Sequence, residues 1–174
     1  MTNDIRFKTM TKRTEFSDQV DFRTPMYLFN FIKSLYGTIQ FDGACFEDGS
    51  NALATPLRLE EYWPDGIVYS NPPFDTNSII SWIDKGHEYV NRNKNNVHIM
   101  CVPNKICYVQ LQQNSWSKIN KIIALGGRVD FTSEFSTKGG ASRSGSLILI
   151  QDSRIKGGTK IEFKLLSKLK EEFQ

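Results

Sequence analysis

Asn71-Pro72-Pro73-Phe74 places a side-chain amide before two prolines and an aromatic ring after them. Consecutive prolines remove two backbone donors and fix two φ angles, so a strand that enters them must stop, with its carbonyls left pointing outward. The turn is therefore stiff. It displays hydrogen-bond acceptors on one side and a flat apolar face on the other. Such a pair suits an amine whose lone pair is delocalised into a heteroaromatic ring, as in the exocyclic N6 amine of adenine. The amide oxygen of Asn71 and the carbonyl of Pro72 can accept the amino hydrogens, which enriches the nitrogen as it attacks a sulfonium methyl in line. Phe74 can stack on a base flipped out of its duplex, a contact of roughly 1 to 3 kcal/mol. Neither a metal nor a covalent intermediate is required. Pro-Pro after a strand is also an ordinary loop feature, so its placement matters. The motif lies about thirty residues after an earlier strand ending at an acid, the span of one βαβ step.

The elements that position this turn follow from periodicity. Leu28, Phe31, Ile32, Leu35 and Tyr36 recur at helical spacing, which predicts a helix capped by Thr24, opened by Pro25 and closed by Gly37. Thr38 to Cys45 reads as a strand running into an irregular segment, Phe46 to Thr55, rich in Gly, Ser, Asn and acid. Ile67-Val68-Tyr69 is a second strand, entered from Pro64-Asp65-Gly66 and ended by the double proline. Asp75 or Thr76 caps a following helix that carries Ile79, Ile83 and Val90 and breaks at the polar run Asn91 to Asn96. Val97 to Val102 reads as an interior strand, Lys105 to Gln113 as a weak helix, and Ile119 to Leu125 as a strand stopped by Gly126-Gly127. Arg128 to Phe131 and Ser146 to Gln151 read as two strands joined by the loop Thr132 to Gly145. Ile161, Leu165, Leu169 and Phe173 recur in four-residue steps, as on a terminal helix. Strands alternating with helices predict a three-layer α/β sandwich whose mainly parallel sheet ends in an antiparallel hairpin. Ligands in such sheets sit beyond the carboxyl ends of the strands, where Asp42 and Asn71-Pro72-Pro73-Phe74 both fall.

With 174 residues, 39% hydrophobic and 12% aromatic, the chain fits one domain with a buried core, preceded by a polar arm over residues 1–20. No apolar run approaches the roughly 18 residues of a membrane span, and the polar start lacks the apolar block of a signal peptide. The expectation is a soluble cytoplasmic protein without a membrane partner. Cys45, Cys101 and Cys107 never form a CxxC pair, and only His87 and His98 could join them around a metal, so reduced structural thiols and no metal site are expected. His87 falls on a helix and His98 inside an apolar strand; both read as surface or packing residues. Trp63, Trp82 and Trp116 read as core or lid aromatics. All of the formal charge of +3 lies from Arg154 onward. This basic tail, residues 152–174, is either a phosphate-contacting segment or a solvated helix face.

In order and spacing these segments resemble the phage-type DNA N6-adenine methyltransferases, a Dam-related family, from Phe22-Arg23-Thr24-Pro25 to about Ile150. That family shows a Thr-Pro-led helix, a hydrophobic-Asp-x-Ala element, a strand ending in Asn-Pro-Pro-Tyr/Phe, a Gly-Arg-x-x-Phe strand and a Ser-containing return strand. Here they read Thr24-Pro25, Phe41-Asp42-Gly43-Ala44, Val68-Tyr69-Ser70-Asn71-Pro72-Pro73-Phe74, Gly127-Arg128-Val129-Asp130-Phe131 and Ser144-Gly145-Ser146-Leu147. The resemblance implies a Rossmann-like class I methyltransferase fold, S-adenosylmethionine as cofactor, DNA as partner and adenine-N6 methylation as activity. A phage or prophage origin and protection of DNA in restriction-modification go with it. It implies that Thr24, Pro25, Asp42, Gly43, Ala44 and Cys45 line the cofactor pocket with Asn71, the Asp42 carboxylate opposing the cofactor's ammonium or ordering a bridging water. The classical glycine-rich signature of methyltransferases is degenerate here, since no small-x-Gly-x-Gly run follows Asp42.

Glu47 and Asp48 are the nearest candidates for an acid holding ribose hydroxyls. Arg128 is either a phosphate contact or a surface charge. Lys138 and Arg143, with Ser142 and Ser144, lie in a Gly-rich loop that can reach phosphates. Asn-Pro-Pro-aromatic also serves the planar nitrogens of RNA bases and protein glutamine, and a non-catalytic DNA-binding protein could keep the fold. The Thr-Pro helix and the Gly-Arg-x-x-Phe strand favour DNA. Target sequence and oligomeric state are not encoded in these motifs.

Overall fold

A computed structural model describes residues 24–45, 52–104, 115–131, 140–141 and 145–174. Helix α1 (Met26–Tyr36) leads into strand β1 (Phe41–Gly43), followed by β2 (Thr55–Leu57), β3 (Ile67–Ser70), helix α2 (Thr76–Arg92) and β4 (Val97–Pro103). A 3₁₀ turn (Trp116–Lys118) precedes β5 (Lys121–Gly126); then come β6 (Asp130–Phe131), β7 (Gly140–Ala141), β8 (Ser146–Gln151), β9 (Lys160–Leu165) and helix α3 (Leu166–Glu172). Seven strands form one sheet in the order β2-β1-β3-β4-β8-β5-β9, and β6 pairs with β7 in a separate ribbon. Among the described residues only β8 runs antiparallel to its neighbours within the large sheet.

The alternation of side chains across a strand divides the core in two. Tyr69, Val97, Ile99, Cys101, Ile123, Ile148 and Ile150 face one way and pack under Leu28, Phe29, Phe31 and Ile32 of α1 and Leu166 and Leu169 of α3. Val68, Met100, Val102, Ile122 and Leu149 face the other way and pack under Ile79, Trp82, Ile83 and Val90 of α2. Strands buried on both faces need apolar residues at successive positions, and β4 is buried along its whole length. The chain is therefore α/β, with helices on both faces of a mostly parallel mixed sheet.

Each helix forms for local reasons. Asp75 caps α2 by accepting from the Ser78 amide at 2.9 Å, and the Ser78 hydroxyl together with that amide holds its carboxyl below the usual range. Gly37 ends α1 at φ 86°, a conformation a side chain would strain. The N-cap of α1 is Pro25 rather than the expected Thr24, whose hydroxyl turns away to the sheet.

Three expectations are corrected. Ser146–Gln151 does not pair with the strand after Gly127; it inserts between β4 and β5, so the sheet ends in the parallel strand β9 rather than in a hairpin. Ile161 and Leu165 lie on β9, not on a terminal helix, because Ile161, Phe163 and Leu165 alternate with Lys160, Glu162 and Lys164. Only Leu169 and Phe173 keep the helical pattern, and the basic segment after residue 152 is folded against the sheet and α1, with the Phe31 and Phe173 rings 5.5 Å apart. Thr55, the last residue of the segment expected to be irregular, instead opens β2 at the sheet edge. The arm over 1–20 and the weak helix at 105–113 lie outside the described residues. Among the described residues no helix is long and apolar enough to cross a membrane.

Candidate functional site

The order of the sheet reverses at β1, whose neighbours β2 and β3 lie on opposite sides. In an open α/β sheet such a reversal leaves a crevice beyond the carboxyl ends of the two diverging strands. Here those ends belong to β1 and β3. They run parallel with Asp42 beside Tyr69 and Gly43 beside Ser70, so Ala44 and Asn71, the next residues, leave the sheet side by side. Two segments some thirty residues apart in sequence thus meet at one strand spacing, about 4.8 Å.

Asp42 is buried on the α1 face. Its Oδ2 accepts the Leu53 amide at 2.7 Å, but burial outweighs this bond and pushes the carboxyl up to about 7. Thr24 is buried beside the same face, its Oγ1 2.7 Å from the Tyr69 hydroxyl. Burial pushes Tyr69 well above its ordinary value, so it stays a neutral phenol. Thr24, Asp42 and Tyr69 thus form one polar island in an otherwise apolar layer. Gly43 is on the opposite face, where a Cβ would come within 2.6 Å of Trp82 and would have to displace its ring. Ala44 holds φ 59°, in the left-handed region that side chains avoid; strain of this kind concentrates at ligand sites.

At the end of β3, Pro72 is buried, Pro73 is exposed and Asn71 is half-buried. Phe74 packs edge to face on Phe131, with ring centroids 5.6 Å apart. The Gly127-Arg128-Val129-Asp130-Phe131 segment therefore reaches the Asn-Pro-Pro-Phe turn, with Phe131 itself buried. Arg128 is exposed just past β5, which points the same way as β3 and β4 and so ends at the same edge of the sheet. Lys138, Arg143, Ser142 and Ser144, like Glu47 and Asp48, lie outside the described residues. Cys45 and Cys101 are free thiols, Cys101 fully buried, and Cys107 lies outside the description.

Directly beneath Asn71 runs a buried polar chain that the sequence alone does not reveal. Gln151 donates through Nε2 to the carbonyls of Ile83 and Lys118, at 2.8 and 3.0 Å, so its Oε1 is the acceptor facing His98 Nδ1 at 2.7 Å. His98 then carries its proton on Nδ1 and accepts at Nε2 from the Ser70 hydroxyl, 2.8 Å away. Burial pushes His98 down to about 4, so the ring is neutral. Trp63 and Trp82 flank it, with centroids 5.2 and 6.3 Å away. The sequence signal is weak: His98 lies inside one apolar strand and Gln151 ends another 53 residues later, with no spacing that links them.

No protein-family model matches the chain, and no curated protein matches it. A surface groove lined by Trp63, Lys85, Glu88, Tyr89 and Arg92 runs beside α2, where the Tyr89 hydroxyl donates to the Gly66 carbonyl just before β3.

Proposed function

We propose that this protein methylates the exocyclic N6 amine of adenine in DNA, with S-adenosylmethionine as methyl donor. The observation that carries the reading is the meeting of Asp42-Gly43-Ala44 and Asn71-Pro72 at the switch point of the sheet. The fold is compatible with a Rossmann-like methyltransferase, and the resemblance of the motifs supplies the reaction.

The residues present fit such a cofactor. Asp42 is a buried carboxylate with its protonation shifted toward neutrality, so a cationic or hydroxyl-bearing ligand arriving beside it would restore its charge. When bound, S-adenosylmethionine supplies an electrophilic methyl on sulfur. Thr24, Pro25 and the turn at Gly43-Ala44 would border it on the α1 side.

Asn71 Oδ1 and the Pro72 carbonyl would accept the two amino hydrogens of a flipped adenine and hold its nitrogen in line. Phe74, held at its edge by Phe131, would offer its face to the base. Arg128 would meet backbone phosphate at the rim, with Lys138 and Arg143 as further contacts from the loop. Calorimetric titration with S-adenosylmethionine tests the cofactor assignment: binding is expected, weakened at least tenfold in Asp42→Ala. No binding at millimolar cofactor would overturn it.

A further inference from the structure

Strand β9 closes one edge of the sheet, and among the described residues nothing pairs with its outer side. Along it Ile161, Phe163 and Leu165 are 56%, 80% and 56% exposed. A flat edge strand carrying apolar side chains is a template for another strand. The amide of Lys160 donates to the carbonyl of Asn120, the residue just before β5, at 3.0 Å. In a parallel ladder inward and outward backbone groups alternate, so the amides and carbonyls of Ile161, Phe163 and Leu165 face outward.

We propose that a second copy of this chain docks here, the two β9 strands pairing antiparallel about a two-fold axis at Phe163. In that register the residues with outward backbone groups face each other: Phe163 opposite Phe163 of the second copy, Ile161 opposite Leu165, and Leu165 opposite Ile161. The same pairs share one face of the joined sheet, where each of the three apolar side chains meets an apolar counterpart across the seam. On the other face Glu162 stands opposite Lys164 and Lys164 opposite Glu162. Directly opposed unlike charges stabilise a strand pair and like charges destabilise it. The neighbouring register, centred on Glu162, sets Glu162 against Glu162 and Lys160 against Lys164, so charge selects the Phe163-centred one. Within the chain Glu162 already contacts Lys121 at 2.6 Å and Lys164 at 2.8 Å, which holds its carboxylate ionised and on that face. An alternating row of this kind permits pairing, whereas a row of lysines would block it. The contact is isologous, so it closes at two copies and does not propagate.

Sedimentation equilibrium of the full chain from about 1 to 100 µM tests this, the range expected for a contact smaller than a standard interface. Wild type should dimerise. Phe163→Glu, at an 80% exposed position and with circular dichroism as the control for its fold, should weaken the dimer at least tenfold. Glu162→Lys should weaken it similarly, and the charge swap Glu162→Lys with Lys164→Glu should restore it. A wild-type monomer at 100 µM would overturn the proposal, as would a dimer indifferent to Phe163→Glu or a charge swap that fails to restore pairing.

Discussion

The hydroxyls of Thr24 and Tyr69 lie 2.7 Å apart, both side chains buried, and join the entry of α1 to the strand that ends at Asn71. Removing one partner leaves the other hydroxyl buried without its bond, which costs about 1 to 3 kcal/mol, whereas removing both costs less than the sum. Tyr69→Phe and Thr24→Val should each lower the urea midpoint, and the double variant should sit closer to wild type than additivity gives.

Two buried groups set the dependence of stability on pH, in opposite senses. Asp42 is raised from its ordinary value to about 7, so the stability linked to it is present below about pH 4 and is lost as pH rises through 7. His98 is lowered to about 4, so its share is present above pH 6.5 and is lost as pH falls through 4. Their opposition flattens the wild-type profile between these limits. Asp42→Asn keeps an acceptor for the Leu53 amide and removes the first effect. At pH 8 it should be more stable than wild type by roughly 1 to 3 kcal/mol, since each tenfold change in proton affinity is worth about 1.4 kcal/mol. Its stability should then fall from pH 6.5 to 4 as His98 acts alone. Thermal melts across this range, alongside cofactor titrations, separate the gain in stability from the expected loss of binding.

Gly86 sits inside α2 against the polar chain beneath the motif. In an exposed helix Gly→Ala would gain about 1 kcal/mol. Here an added Cβ would overlap the His98 ring and Gln151 Oε1, so sterics decide the sign. Overpacking and broken buried hydrogen bonds should together cost roughly 3 to 5 kcal/mol. Gly86→Ala should melt far below wild type.

Phe131 is buried and Phe74 half-buried, though they form one edge-to-face pair. Phe131→Ala should cost about 3 to 5 kcal/mol of stability. Phe74→Ala should cost less and act mainly on turnover, lowering it more than it weakens cofactor binding. Equilibrium unfolding and single-turnover assays distinguish the two.

Elements with a strong period and hard stops were legible in the sequence. The α1 and α2 stripes, the β4 run and the ends at Gly37, Asp75 and Pro72 follow from local chemistry. Strand pairing did not, because it depends on which segments meet: Arg128–Phe131 and Ser146–Gln151 read as strands joined by one loop, yet β8 finds its partners in β4 and β5. At β9, Ile161 and Leu165 fit a four-residue step and a two-residue step equally, and Phe163 between them decides for the strand. In the site, Asp42 and Asn71 were readable from strand ends. The contacts of Thr24 with Tyr69 and of Ser70 with His98 span 45 and 28 residues and required the sheet to form.

The most direct measurement maps N6-methyladenine in DNA from cells expressing the wild-type protein or Asn71→Ala. Methyl transfer through Asn71 predicts modified adenines with wild type and none with Asn71→Ala, while the purified variant binds S-adenosylmethionine within a few-fold of wild type. Methylation by Asn71→Ala at the wild-type rate, or unmodified DNA in cells holding folded, cofactor-binding wild type, would contradict it.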